Sequence, residues 1–289
     1  MIRLGAPLVD PPSEPGPWAK AAVAHGYRAV YGPITWDDPR ARDDQAIEAY
    51  VDAANQSDLL IGEVGVWHVN LIDPEPRRRD EAVEAVTRGL ALADRMDATA
   101  CVCLAGSRSH EAWWLPHPDN LGQQAFDLLV RQVRRIIDTV RPTRASLAIE
   151  PMPWTIPVDV DQTLALVAAV DREQFGVHLD LANWIDSPRV FLDHHRLIDD
   201  AIQRLGPKLV GVHLKDVRLE HDLPAHLREC APGEGQLDLA YLLSKLSALP
   251  QKLPVLLEHL DTQAQYDKAF AFITSITPES VDRQGPTLA

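Results

Sequence analysis

The sequence predicts an α/β protein, a single (β/α)8 barrel of the TIM class, and three observations predict it. Short β-rich apolar runs alternate with longer segments of helical period, as expected when parallel strands are joined by crossover helices. Eight such units fit into 289 residues with no long linker between them, a length at which this fold forms one core. The phosphate-binding turn G-x-G-x-x-G is absent after the first strand, which argues for closure into a barrel over an open doubly wound sheet.

In chain order the strands read IRLGAPL, YRAVYGPI, LLIGEVGVW, TACVCLAG, ASLAIEPM, FGVHLDLAN, KLVGVHLKD and PVLLEHL. Between them lie helical stretches such as RRRDEAVEAVTRGLALADRMD and LGQQAFDLLVRQVRRIIDTV, whose apolar residues recur every three or four positions. Gly26, Pro142, Gly206-Pro207 and Pro250 sit where helices must stop before the next strand. The barrel is expected over 1–276, with a polar tail over 277–289. The segment SRSHEAWWLPHPDN at 107–120 is long and aromatic for a β/α loop, and reads equally as a lid or a subunit contact.

Composition narrows the function. A hydrophobic fraction of 46% and a charged fraction of 24% are those of a soluble globule. Neither a basic-then-apolar leader nor a run of about 18 apolar residues is present, so a soluble, cytoplasmic protein without a membrane partner is expected. Cys101, Cys103 and Cys230 are read as core thiols, since the C-x-C lies in an apolar run. The formal charge of −14 sets an unfavourable field for polyanions, which disfavours nucleic acid. Arg77, Arg78 and Arg79 are read as a solvated helix start.

A barrel of this class carries its active site at the C-terminal ends of its strands. Glu150, Asp180, His213 and Glu258 stand at the ends of strands five to eight, one on each. Three carboxylates and an imidazole converging there would repel one another unless a cation stood between them. The oxygen-rich set selects one divalent ion, with Mn²⁺ favoured and Mg²⁺, Co²⁺ or Zn²⁺ admitted. His178 shares a face with Asp180, and Lys215 with His213. Lys215 is read either as reaching a substrate oxygen or as ion-paired to Asp216 or another carboxylate. His68 and Glu63 are placed at the opposite side of the pocket, and Trp67, Trp113, Trp114, Trp154 and Trp184 near strand ends, where aromatic faces suit the C–H faces of sugars.

The motifs LAIEP, HLDLAN, GVHLKD, PGEGQLDLAYLL and PVLLEH, in that order and spacing, resemble the xylose isomerase-like barrel superfamily, which includes sugar phosphate isomerases and epimerases. The resemblance implies that Glu150, Asp180, His213 and Glu258 are metal ligands. It also implies that Glu150 and Glu258 exchange a proton with a substrate carbon through an enediolate, and that Gly233, Glu234 and Gly235 form the turn before the last crossover helix. Asn183 departs from it, standing where relatives commonly carry a histidine that meets substrate. The expected activity is isomerisation or epimerisation of a ketose or keto-polyol, with Glu150 and Glu258 catalytic and Asn183, Lys215, His68, Trp114 and His178 toward substrate. A lyase acting on a keto-inositol or keto-sugar is the alternative. An endonuclease IV-type phosphodiesterase lacks its further histidines here, and a non-catalytic sugar-binding barrel would not need all four ligands. A homodimer is implied by the resemblance alone.

Overall fold

The computed structural model describes residues 1–278, so the expected tail lies outside the described residues apart from Thr277 and Pro278. Its barrel opens with β1 (Ile2–Gly5), β2 (Ala29–Tyr31), β3 (Leu60–Val66), β4 (Ala100–Cys103), β5 (Ser146–Ile149), β6 (Phe175–Asp180) and β7 (Leu209–Leu214). A two-stranded antiparallel ribbon, β8 (Asp216–Glu220) and β9 (His226–Cys230), then intervenes before β10 (Leu253–Leu257). Around the closed ring the order is β1, β10, β7, β6, β5, β4, β3, β2, all parallel. The eight expected strands are therefore the eight barrel strands. The ribbon was not expected.

The helices form because their inner stripes are apolar, and several of their starts are capped by side chains. Asp43 accepts backbone N–H bonds from Gln45 and Ala46 at the start of α2 (Asp44–Gln56), following α1 (Pro15–Ala24). Next come α3 (Pro76–Arg95) and α4 (Gln123–Val140), on which Leu129, Val133, Ile136 and Ile137 turn one buried stripe to the sheet. Asp159 caps α5 (Val160–Val170), and the short α6 (Pro188–Leu192) leads into α7 (His194–Leu205). Asp238 caps α8 (Leu239–Ser247), and Thr262 with Gln265 forms a capping box at α9 (Gln263–Ile276). Arg77, Arg78 and Arg79 lie in the first turn of α3, where Arg77 meets Glu81 and Arg78 meets Glu75. Cys101 and Cys103 are fully buried in the core. Among the described residues, no helix is long and apolar enough to cross a membrane.

Candidate metal centre

The register of the barrel decides which side chains meet at its mouth. Asp180 closes β6 directly opposite His213 on β7, and Leu257 lies opposite Leu214, so Glu258 emerges beside Lys215. Glu150 continues β5, its N–H donating to the Cys103 carbonyl at 2.9 Å. One ligand atom from each of Glu150, Asp180, His213 and Glu258 lies within 4.8 Å of the others. Oxygen ligands of one divalent ion stand about 2.0–2.6 Å from it, so no two can be more than about 5 Å apart. The four fit a single cation. His213 presents Nδ1 to this cluster, 3.2 Å from Glu150 Oε1 and 3.0 Å from Glu258 Oε1.

Lys215 joins them, with Nζ 2.5 Å from Asp180 Oδ2 and 2.6 Å from Glu258 Oε1. Burial works against its charge, but Asp180, Glu258 and Glu150 together hold it firmly protonated. Asp180 is pushed up to about 7, chiefly by burial and further by Glu150 and Glu258, against the pull of Lys215. Glu258 goes the other way: burial opposes its ionisation, but His213 and Lys215 hold it well below the carboxylate range. His213 is also buried, yet Glu63, Glu258 and Glu150 raise its pKa well above that of a free imidazole. Such a set draws positive charge from every source within reach.

A second polar layer underlies the first. Glu63, on β3 and only 2% exposed, places Oε2 3.1 Å from His213 Nε2. With Nδ1 turned to the carboxylates, Nε2 is the nitrogen left to carry the hydrogen, and Glu63 accepts it. This is the arrangement by which an outer carboxylate fixes the tautomer and orientation of a ligating imidazole. His178 packs edge-on to His213 with ring centroids 4.1 Å apart, in space left by Gly211, where a Cβ would stand 3.0 Å from its Nδ1. Burial and the neighbouring His213 hold His178 neutral. At 1% exposed it lies one pleat below Asp180, packed against His213. Glu63 likewise lies beneath His213 instead of across the pocket.

The unexpected ribbon closes one side of the mouth. Glu229 on β9 reaches to 3.8 Å from Lys215 Nζ, and its Oε1 lies 2.9 Å from Nδ1 of His259. His259 Nε2 is in turn 3.5 Å from Glu258 Oε2. The ribbon is held by Asp216, whose carboxylate accepts N–H bonds from Val217, Gly233, Gly235 and Leu237. Lys215 is therefore paired to the cluster, and Asp216 is committed to the GEG turn. Gly233 needs its left-handed φ of +90°, and at Gly235 a Cβ would stand 2.1 Å from Asp216 Oδ1. Glu234 points outward and pairs with Lys268 of α9 at 2.6 Å. Tyr31 completes the wall, its ring 6.0 Å from His213 and its hydroxyl donating to the Leu257 carbonyl.

Asn183 donates from Nδ2 to Asp180 Oδ2 at 2.8 Å and to the Pro151 carbonyl at 2.9 Å. His68 and Trp114 stand apart from the four-ligand cluster. They line a neighbouring cleft of about 910 Å³ with Trp67, Trp113 and Trp36. The 107–120 loop that carries Trp113 and Trp114 is tied down by buried Asn120, which accepts from Arg108 N and donates to the Leu115 and Trp154 carbonyls. Trp154 Nε1 returns a bond to the Trp114 carbonyl at 2.9 Å.

Comparison with curated protein sequences found no match. Among solved structures, the chain resembles a 3-keto-D-glucoside 4-epimerase from E. coli at 14% identity and a TM-score of 0.70, covering 95% of this chain and 100% of that one. A xylose isomerase-like TIM barrel protein from Mycobacterium smegmatis, in complex with magnesium, aligns at 18% identity and a TM-score of 0.65, over 92% and 89% of the two chains. The probable 3-DHS dehydratase of petrobactin synthesis from Bacillus anthracis aligns at 15% identity and a TM-score of 0.65, over 90% and 92%. At these identities the likeness is one of fold. The sequence profile described as xylose isomerase-like TIM barrel matches residues 19–276, and the chain belongs to that family.

Proposed function

We propose that the protein is a divalent-metal-dependent isomerase or epimerase acting on an unphosphorylated ketose, keto-polyol or sugar derivative. The observation that carries this is the placing of Glu150 and Glu258, from strands separated by β6 and β7, against the same nitrogen of His213. Two carboxylates flank one cation position, which is the requirement for taking a proton at one side of a carbon and returning it at another. When bound, the metal supplies polarisation of a carbonyl and adjacent hydroxyl, which acidifies the C–H between them. Glu150 and Glu258, one on each side of the cation position, are the groups placed to accept that proton and to return it. Lys215 adds a fixed positive charge beside the oxyanion that develops. Structural neighbours that include a 3-keto-D-glucoside 4-epimerase and a D-psicose 3-epimerase support the reading.

One observation favours a lyase on the same scaffold. Asn183, an amide held by Asp180 and the Pro151 carbonyl, stands where relatives commonly carry a histidine, so substrate is handled differently there, and a lyase shares the same first step of proton abstraction. The likeness in fold to a probable 3-DHS dehydratase is compatible with that. Metal analysis beside Glu150→Gln and His213→Ala, followed by incubation with keto-sugars in D₂O, tests both readings. We expect about one equivalent of metal, lost in the variants, and deuterium at the carbon next to the carbonyl without loss of mass. Loss of water would select the lyase. No metal after reconstitution, or no exchange with any substrate, would overturn the assignment.

A further inference from the structure

We propose that the tryptophan-lined cleft beside the metal centre is a second subsite, which holds the non-reacting ring of a neutral glycoside. This rests on reading the adjoining site as one that acts on a sugar. Three observations carry it. The cleft, of about 910 Å³, lies at the upper end of the range for small-molecule sites and exceeds what one sugar ring fills. It also adjoins the metal centre through Trp67, which lines it and whose ring centroid is 6.3 Å from that of His213. A ligand whose reacting carbon sits at His213 therefore extends past Trp67 into the cleft.

The lining supplies the third observation. Trp113 and Trp114 stand on the loop after β4, and Trp113 is braced edge-on by His68 at 5.3 Å. Trp36 has one face covered by the Arg88 guanidinium at 4.8 Å, which leaves Trp67, Trp113 and Trp114 as the stacking surfaces. Their faces suit either the C–H face of a sugar or an aryl ring. The polar groups around them are mainly acidic. Asp37, Asp73, Glu81 and Glu111 line the cleft against Arg78 alone, and Arg78 is already paired with Glu75 at 3.0 Å. The Glu111 carboxylate has no hydrogen-bond or ion-pair partner among the described residues, so it is available to accept from a ligand hydroxyl. A phosphate would meet repulsion there, whereas a hydroxylated or aromatic neutral ring meets acceptors and flat apolar faces.

Calorimetric titration of the metal-loaded protein with methyl β-D-glucoside, cellobiose and phenyl β-D-glucoside tests this, using wild type and the Trp113→Ala/Trp114→Ala double variant, with deuterium exchange followed separately in wild type on keto-sugars. We expect one or both of the two-ring ligands to bind about tenfold tighter than the methyl glucoside, the factor that one well-stacked aromatic contact supplies. The double variant should abolish that advantage while its metal content and melting temperature stay those of wild type. A preference for cellobiose identifies a sugar as the second ring, and a preference for the phenyl glucoside identifies an aglycone. Equal affinity for one-ring and two-ring ligands, or an advantage that survives in the double variant, would overturn the subsite. The exchange assay separates the two claims: a ring preference without deuterium exchange on any keto-sugar sinks the proposed reaction and leaves the cleft standing, and exchange without ring preference does the reverse.

Discussion

Replacing Glu63 by Gln isolates the contribution of the layer beneath the metal ligands. The side chain is 2% exposed, and its Oε2 lies 3.1 Å from His213 Nε2, on the far side of the ring from Glu150 and Glu258. Gln keeps the shape and an acceptor oxygen but loses the charge. A hydrogen bond to a charged partner is worth about 1.5–3 kcal/mol and a neutral one about 0.5–1.5 kcal/mol, so the substitution should weaken the hold on His213 by about 1–1.5 kcal/mol. That corresponds to about a tenfold loss of metal affinity, the lower end of the 10–100-fold range typical of outer carboxylates on ligating histidines. Glu63→Ala, which also opens a void, should lose more. The assay is competition of Mn²⁺ between the protein and a chelator of known affinity, with thermal melting of the metal-free variants to show that the fold is kept. Unchanged metal affinity in a folded Glu63→Gln would refute the reasoning and reduce Glu63 to a buried group with no hold on the site.

Three further outcomes follow from other parts of the structure. Lys215→Met leaves Asp180 and Glu258 without their common cation, so the metal-free protein should lose about 3–5 kcal/mol, with a smaller loss once a divalent ion is added; equal losses with and without metal in a denaturation series would contradict this. Asp94 on α3 accepts N–H bonds from Thr143, Arg144 and Ala145, which outweigh the opposing effect of its partial burial and lower its pKa. Its contribution is then fully present above the unfolded-state value near 4 and fades as pH falls through the lower folded value, so Asp94→Ala should cost about 1–2 kcal/mol at pH 7 and progressively less under acid, a trend that urea titrations at several pH values would reveal or deny. Gly235→Ala forces a Cβ to within 2.1 Å of Asp216 Oδ1 and 2.7 Å of the Val217 carbonyl, so it should destabilise by about 1–3 kcal/mol and expose the β8–β9 ribbon to limited proteolysis; a variant cleaved no faster than the parent would show that the GEG turn adapts.

What the sequence made legible follows from how local each signal is. Eight apolar runs separated by helical periods suffice for the barrel, because strand and helix periods are written within single segments. Glu150, Asp180 and Glu258 could be placed because each ends a buried strand, where a carboxylate is otherwise out of place. Depth was harder to read. Spacing by two puts His178 on the same face as Asp180, but two residues of strand are about 6.6 Å of travel, which carries His178 from the mouth into the interior under His213. The buried charge of Glu63 in LIGEVGV is a signal of the same kind as Glu150, displaced toward the middle of its strand. Glu229 meets the site through the ribbon, which Asp216 holds by bonds to residues as far away as Leu237. Nothing in HLREC, a short segment of mixed polarity, announces a strand.

The ribbon and Lys215 share one physical origin. Glu63, Glu150, Asp180 and Glu258 bring four carboxyl groups into a space where water cannot screen them, in a protein whose formal charge is already −14. Left alone they would take up protons, as burial already pushes Asp180 to do, and protonated carboxyls are poor ligands and no bases at all. Lys215 offsets one of the four charges and a single divalent ion two more, His213 being neutral when its Nδ1 is a ligand. A lysine is therefore no substitute for the metal here, since each neutralises a different part of the same excess. Hence Lys215 is buried and Glu229 is set within 3.8 Å of its ammonium, where it adds to the charge that keeps that lysine protonated. The site can then hold its bases ionised, which is the state that proton abstraction from a carbon acid demands.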